Sequence, residues 1–97
     1  MTTKRFEVRW SEAAVGDLEA IAAWLIAHEP ERAALVIDRI EAASRALDRF
    51  PMRGRTPPEL ARFELRSYRE ILISPWRLLY RAGRRSVLVV AVFAVRR

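Results

Sequence analysis

Two apolar stripes at helical spacing, broken only by His28-Glu29-Pro30, constrain this chain more than any other feature. The first runs through Ala14, Leu18, Ile21, Ala22 and Leu25 and ends at about Ala27. Positions three and four apart fall on one face of a helix, so these side chains form one core stripe. Ser11 is placed to cap that helix, and Glu12 lies in its first turn, where the helix dipole favours a carboxylate. Pro30 suits the first turn of a second helix because its missing N–H would have no partner there. Ala33, Val36, Ile37, Ile40, Ser44 and Leu47 form the second stripe. It stops at Phe50-Pro51, since proline disfavours helix in the residue before it. Two long helices joined by two or three residues are antiparallel neighbours, an αα-hairpin.

Around this hairpin the periodicity changes to that of strands. Phe6-Glu-Val-Arg-Trp10 alternates, with Phe6, Val8 and Trp10 on one face. Met52–Pro58 is a loop by composition, and Glu59–Phe63 is long enough for one helical turn. Tyr68–Ile73, Trp76–Arg81 and Ser86–Val95 then read as strands, reversing at Ser74-Pro75 and around Gly83. The last is apolar on both faces, as a central or helix-covered strand is. The expected fold is α+β in the order β-α-α-β-β-β, a helical hairpin packed on one face of a small, mostly antiparallel sheet. At 97 residues it forms a single domain, 1–97.

Charge is divided unevenly. Residues 1–48 hold six Lys or Arg against nine Asp or Glu, a balance of −3, whereas residues 49–97 hold twelve Arg against three Glu, a balance of +9. A basic C-terminal half suits nucleic acid or an acidic protein. Several chemistries are excluded by composition. With no Cys there is no disulfide framework, thiolate metal site or cysteine nucleophile. His28 is the one histidine, with no second to share a metal, and it reads as an exposed residue at a helix end. Gly54 and Gly83 are isolated turn glycines, not a phosphate loop. The acidic residues of the helices are spread round the wheel as solvated faces. No cofactor is expected. The longest apolar run, Val87–Val95, falls short of the ~20 residues of a membrane span, and the N-terminus has no apolar signal region. A cytoplasmic protein is expected.

Two surfaces remain as candidates. Leu35, Ala42 and Ala46 lie off the second helix's core stripe, roughly 200–240° round the wheel from Ile40. Trp24 and Ile26 lie at the margins of the first. Exposed Ala is ordinary, but Trp24 and Leu35 point to a face awaiting a partner. The second surface is cationic: Arg66, Arg69, Arg77 and Arg81 lie on or beside the strands, interleaved with Tyr68, Trp76 and Tyr80. Such side chains either grip phosphates and stack on bases or snorkel over a half-exposed sheet, and residue type alone does not choose.

Several segments, weak singly but strong in their order and spacing, carry a resemblance over nearly the whole chain. They are Val8-Arg-Trp-Ser11, Asp17-Leu-Glu-Ala-Ile-Ala22, Phe50-Pro-Met-Arg-Gly-Arg55, Pro58-Glu-Leu60 and Arg69-Glu-Ile-Leu-Ile-Ser-Pro-Trp-Arg-Leu-Leu-Tyr-Arg81. The sequence resembles the ParE branch of the RelE/ParE superfamily, the toxin halves of bacterial toxin–antitoxin modules. That resemblance implies a small α/β fold of the kind just described and a ParD-like antitoxin in a hetero-oligomer.

Two activities occur in the superfamily. RelE-like members resemble ribosome-dependent mRNA endonucleases with basic residues on the second strand and an Arg on the third. Arg77 matches that Arg, and Arg96 or Arg97 could stand for a C-terminal one. Tyr68 and Glu70, however, occupy positions where those nucleases show lysines, and no Tyr follows Arg97. ParE-like members resemble non-enzymatic poisons of DNA gyrase, although many carry a His near the end of the last strand, where this chain has Phe93-Ala-Val-Arg-Arg97. The resemblance therefore implies a gyrase poison with no catalytic residue. Arg53, Arg55, Arg66, Arg69, Arg77, Arg81, Arg96 and Arg97 are the candidates for the target, gyrase or its DNA. Trp24, Ile26, Leu35, Ala42 and Ala46 are the candidates for the antitoxin. The other readings are a RelE-type nuclease, a general nucleic-acid-binding module and a non-toxic relative that keeps only antitoxin binding.

Overall fold

A computed structural model describes residues 5–63 and 67–95. Strand β1 (Glu7–Trp10) leads into helix α1 (Glu12–His28), and α2 (Pro30–Arg45) follows after Glu29 alone. A 3-10 turn (Ala46–Asp48) extends α2, and a short helix α3 (Pro58–Ala61) precedes β2 (Tyr68–Ile73), β3 (Trp76–Ala82) and β4 (Ser86–Ala94). The expected order is present, and the helical turn expected at Glu59–Phe63 forms as α3, one residue earlier. The sheet order is β1-β4-β3-β2. β2, β3 and β4 form an antiparallel meander, and β1 pairs parallel to β4. The link between the helices is shorter than the expected two or three residues because Glu29 both ends α1, donating its N–H to Leu25 O at 2.6 Å, and takes the position before Pro30.

One core holds the layers together. Ala14, Ile21, Leu25, Ala33, Val36, Ile40 and Leu47 from the helical side meet Leu78, Tyr80, Val87, Val89 and Val92 from the sheet. Burying a side chain such as Leu25 or Ile40 completely is worth about 1.5–3 kcal/mol. Ser11 caps α1 as expected, accepting the N–H of Ala14 at 3.0 Å. Asp17 corrects the expectation of solvated helix acids: its carboxylate accepts the N–H of Val92 at 2.9 Å. The cause lies in β4, whose register against β3 shifts between Leu79 and Tyr80, so that Leu79 opposes Ala91 but Tyr80 opposes Val89. Val90 is thus an extra, bulged residue. β1 stops opposite Val89, and beyond that point α1 satisfies the open edge of β4, through Ser11 N–H to Val89 O at 3.0 Å and through Asp17.

Candidate functional site

The face of the sheet turned away from the hairpin carries Glu70, Arg77 and Arg81. Alternation along β3 sends Trp76, Leu78 and Tyr80 toward the helices and Arg77, Leu79 and Arg81 to the other side. Tyr80 is therefore no part of a cationic surface. It is fully buried, burial pushes its phenol pKa up, and its hydroxyl accepts the N–H of Gly54 at 2.8 Å. Gly54 is required there: a Cβ would stand 2.6 Å from Glu70 O and 2.7 Å from the Tyr80 hydroxyl. Arg69, on the hairpin side of β2, holds the same segment by donating from Nη1 to Gly54 O at 2.7 Å and Met52 O at 3.3 Å.

Toward the β2 edge of the outer face is a buried carboxylate. Glu70 pairs across the β2–β3 ladder with Leu79, which places Arg77 diagonally across from it. Arg77 donates from Nε to Glu70 Oε1 at 2.7 Å, and its Nη2 reaches the same oxygen. On the other side, the segment carrying Arg55 adds to the edge of β2, with Arg55 N–H to Glu70 O at 3.0 Å and Glu70 N–H to Arg55 O at 2.8 Å. That backbone pair sets the Arg55 side chain opposite Glu70, and Nε donates to Oε2 at 2.7 Å. Arg77 turns its outer edge to Glu59 at the start of α3, in a fork of 2.9 and 3.1 Å. The Arg77 hydrogen bond lowers the Glu59 carboxyl pKa to about 2, and both carboxylates raise that of Arg77. Glu59, Arg77, Glu70 and Arg55 are thus one alternating chain of charges. The Glu70 side chain is 0% exposed and that of Arg77 15%.

The structure therefore divides the expected target-binding arginines. Arg55 and Arg77 are paired within the fold, and Arg69 is spent on backbone carbonyls. Arg53 and Arg81 are exposed and make no ion pair among the described residues. Arg66, Arg96 and Arg97 lie outside the described residues. Arg84 and Arg85, exposed in the turn before β4, are cations that the reading by strand position passed over. Glu70 was also missed as an organising residue. Its signal was present, because a two-residue reversal at Ser74-Pro75 puts positions 70 and 77 on one face at diagonal range.

The five apolar candidates do not share one patch. At 100° per residue, Trp24 and Ile26 point about 200° apart round α1. Trp24 lines a groove of about 520 Å³ with Ile21, Leu25, Val36, Pro75 and Trp76, and its ring stacks on His28 at 4.6 Å. Ile26 is exposed on the opposite flank. Leu35 and Ala42 are exposed on the back of α2, and Ala46, half-buried, opens the 3-10 turn that extends it.

Residues 8–97 match the sequence family described as ParE toxin of the type II toxin–antitoxin system, parDE. The chain belongs to the ParE toxin family. Its fold is that of solved toxin–antitoxin proteins. The chromosomal ParDE system from P. aeruginosa aligns with a TM-score of 0.76 at 20% identity, covering 95% of this chain and 98% of that one. The RelBE2 toxin–antitoxin complex of Mycobacterium tuberculosis aligns at 0.62 and 23% identity, covering 97% and 95%. No curated protein sequence matches. At such identities these structures speak for the fold alone. The toxin has the α+β architecture expected of it, with a mostly antiparallel sheet in which β1 alone pairs parallel. No helix among the described residues is long and apolar enough to cross a membrane.

Proposed function

We propose that this toxin arrests growth in the cytoplasm by poisoning DNA gyrase, without being an enzyme, and that a ParD-like antitoxin neutralises it. The observation that carries this reading is the Glu59–Arg77–Glu70–Arg55 chain. Cleaving RNA through its 2′-hydroxyl calls for a general base and for an acid or free cation to meet the charge of the phosphorane. At the position where a RelE-type nuclease would use its third-strand arginine, Arg77 is held between two carboxylates. Glu70, the carboxylate beside it, is buried with both oxygens taken by guanidinium groups. Neither is free to move a proton or to meet a phosphate. Arg53 and Arg81, with Arg84 and Arg85, supply the cations that can reach a target, and Arg66, Arg96 and Arg97 complete the proposed set.

The antitoxin is expected to be acidic in its C-terminal part and to fold as it binds. The Trp24 groove and the Leu35 face of α2 offer it two separate apolar contacts on the hairpin. Expression without the antitoxin, followed by gyrase supercoiling and cleavage assays, tests the activity. Plasmid linearised in the presence of gyrase supports it, and intact supercoiling with cut mRNA overturns it in favour of the RelE-type nuclease.

A further inference from the structure

The segment after α2 faces two ways. Gly54 and Arg55 turn inward onto Tyr80 and Glu70, while the preceding five residues form an exposed tip. Phe50 and Met52 are 63% and 57% exposed, and with Pro51, Arg49 and Arg53 they line one shallow hollow. That hollow is braced from behind. Phe50 N–H donates to Ala46 O at 3.2 Å, Arg53 N–H to Phe50 O at 3.1 Å, and Arg69 holds the carbonyls of Met52 and Gly54. Two large apolar side chains therefore stand largely in water on a fixed support, outside the core formed by the described residues. Arg49 and Arg53 at the rim are exposed and make no ion pair among the described residues, and residues 49–58 contain no carboxylate.

An aromatic face, a thioether and two unpaired guanidinium groups round one hollow match a nucleobase with a phosphate on either side. The base stacks on the ring, and the cations hold the backbone. The local charge selects a polyanion over an ordinary apolar protein surface. Within an intact duplex every base is already stacked on both sides. A base beside a strand break or gap has a face to offer. We propose that the Arg49–Arg53 tip is a stacking site for an unpaired DNA base, with Phe50 as the platform. The proposal rests on the gyrase reading for the choice of DNA over RNA and for the source of the broken strand.

The test uses the full chain, without gyrase, on an intact duplex, on the same duplex with a short single-stranded gap, and on a gapped duplex whose unpaired bases are RNA. Tighter binding to the gapped DNA is expected. Phe50→Ala should remove that preference, weakening the gapped complex by about 5- to 150-fold while leaving intact-duplex binding unchanged, and Phe50→Trp should restore it. Arg53→Gln should weaken all complexes and flatten the salt dependence by about one unit of slope. Because these side chains are exposed, melting temperatures should not move. Equal binding to gapped and intact DNA, a preference that survives Phe50→Ala, or tighter binding to the RNA gap would each overturn the site. Loss of antitoxin or gyrase affinity in Phe50→Ala, with DNA binding unchanged, would make the tip a protein contact and overturn it as well. A chain that shows the Phe50-dependent preference but leaves gyrase unaffected keeps the site and removes the gyrase reading; the converse result removes the site alone.

Discussion

Replacing Glu70 by Gln is the sharpest probe of the charged chain, since it keeps the shape and removes the charge. Glu70 accepts from Arg55 Nε and from Arg77 Nε and Nη2. The amide offers one oxygen and turns its NH2 toward a guanidinium, donor against donor. Losing one partner of a buried pair costs about 3–5 kcal/mol. Two features place this case at the lower end: Glu59 still holds Arg77, and the Arg55 side chain is 57% exposed, so its share is close to that of a surface pair. A loss of about 3 kcal/mol follows, and for a domain of this length it lowers the melting temperature by about 12–24 °C. Thermal and urea unfolding followed by circular dichroism measure it directly. Arg77→Gln should cost a similar amount, and the double variant should fall short of the sum of the singles by more than about 1 kcal/mol, because the two share one interaction. High salt should barely change these differences, since the pair is buried. A loss below about 1 kcal/mol for Glu70→Gln, or strict additivity, would refute the reasoning by showing that water already screens the pair.

Gly54→Ala should destabilise by about 1–3 kcal/mol or prevent folding, because the added methyl overlaps Glu70 O and the Tyr80 hydroxyl; an unchanged urea midpoint would contradict this. Asp17→Ala should cost about 1–3 kcal/mol by leaving Val92 N–H unpaired, and amide exchange at Val92 should quicken selectively. Glu59 adds a pH dependence whose sign is fixed by the lowered folded-state pKa. Its stabilising contribution is complete above the ordinary value of 4.5 and is lost as pH falls toward 2. Glu59→Gln should therefore flatten the acid limb of the stability curve between those values and have its full effect at neutral pH. An acid limb identical to that of the native chain would count against the Arg77 fork.

Much of the fold was legible because its signals are local. Ser11, the two apolar stripes and Pro30 fix the hairpin within a few residues, and the alternation of Trp76–Arg81 assigns each side chain to a face. What stayed hidden depends on contacts far apart in the chain. Asp17 looks like any other acid on a helix until the bulge at Val90 leaves Val92 N–H facing it. Arg55 looks like a loop cation until its backbone adds to the edge of β2. The apolar candidates show a milder form of this limit: helical spacing already separates Trp24 from Ile26, but only the packing of α1 against the sheet shows that Trp24 enters a groove with Trp76.

Arginine is the residue on which sequence and structure differ most, and the difference bears on how function should be probed here. Arg77 lies where a catalytic cation would be sought, so loss of toxicity on its removal invites a catalytic explanation. The structure supplies another cause, because Arg77 ties β3 to β2 and α3 through Glu70 and Glu59, and a chain without it is weakened where the edge strand joins the sheet. Arg55 and Arg69 carry the same ambiguity, one on the edge of the sheet and one behind the Met52–Gly54 backbone. Arg53, Arg81, Arg84 and Arg85 do not, since they are exposed and unpaired among the described residues, and their replacement should change stability by no more than about 0.5 kcal/mol. A loss of toxicity confined to these exposed positions would reflect contact with the target. A loss confined to Arg55, Arg69 and Arg77 would be one of folding. The fold spends Arg55, Arg69 and Arg77 on its own internal contacts, and the exposed arginines without such partners are the ones available for recognition.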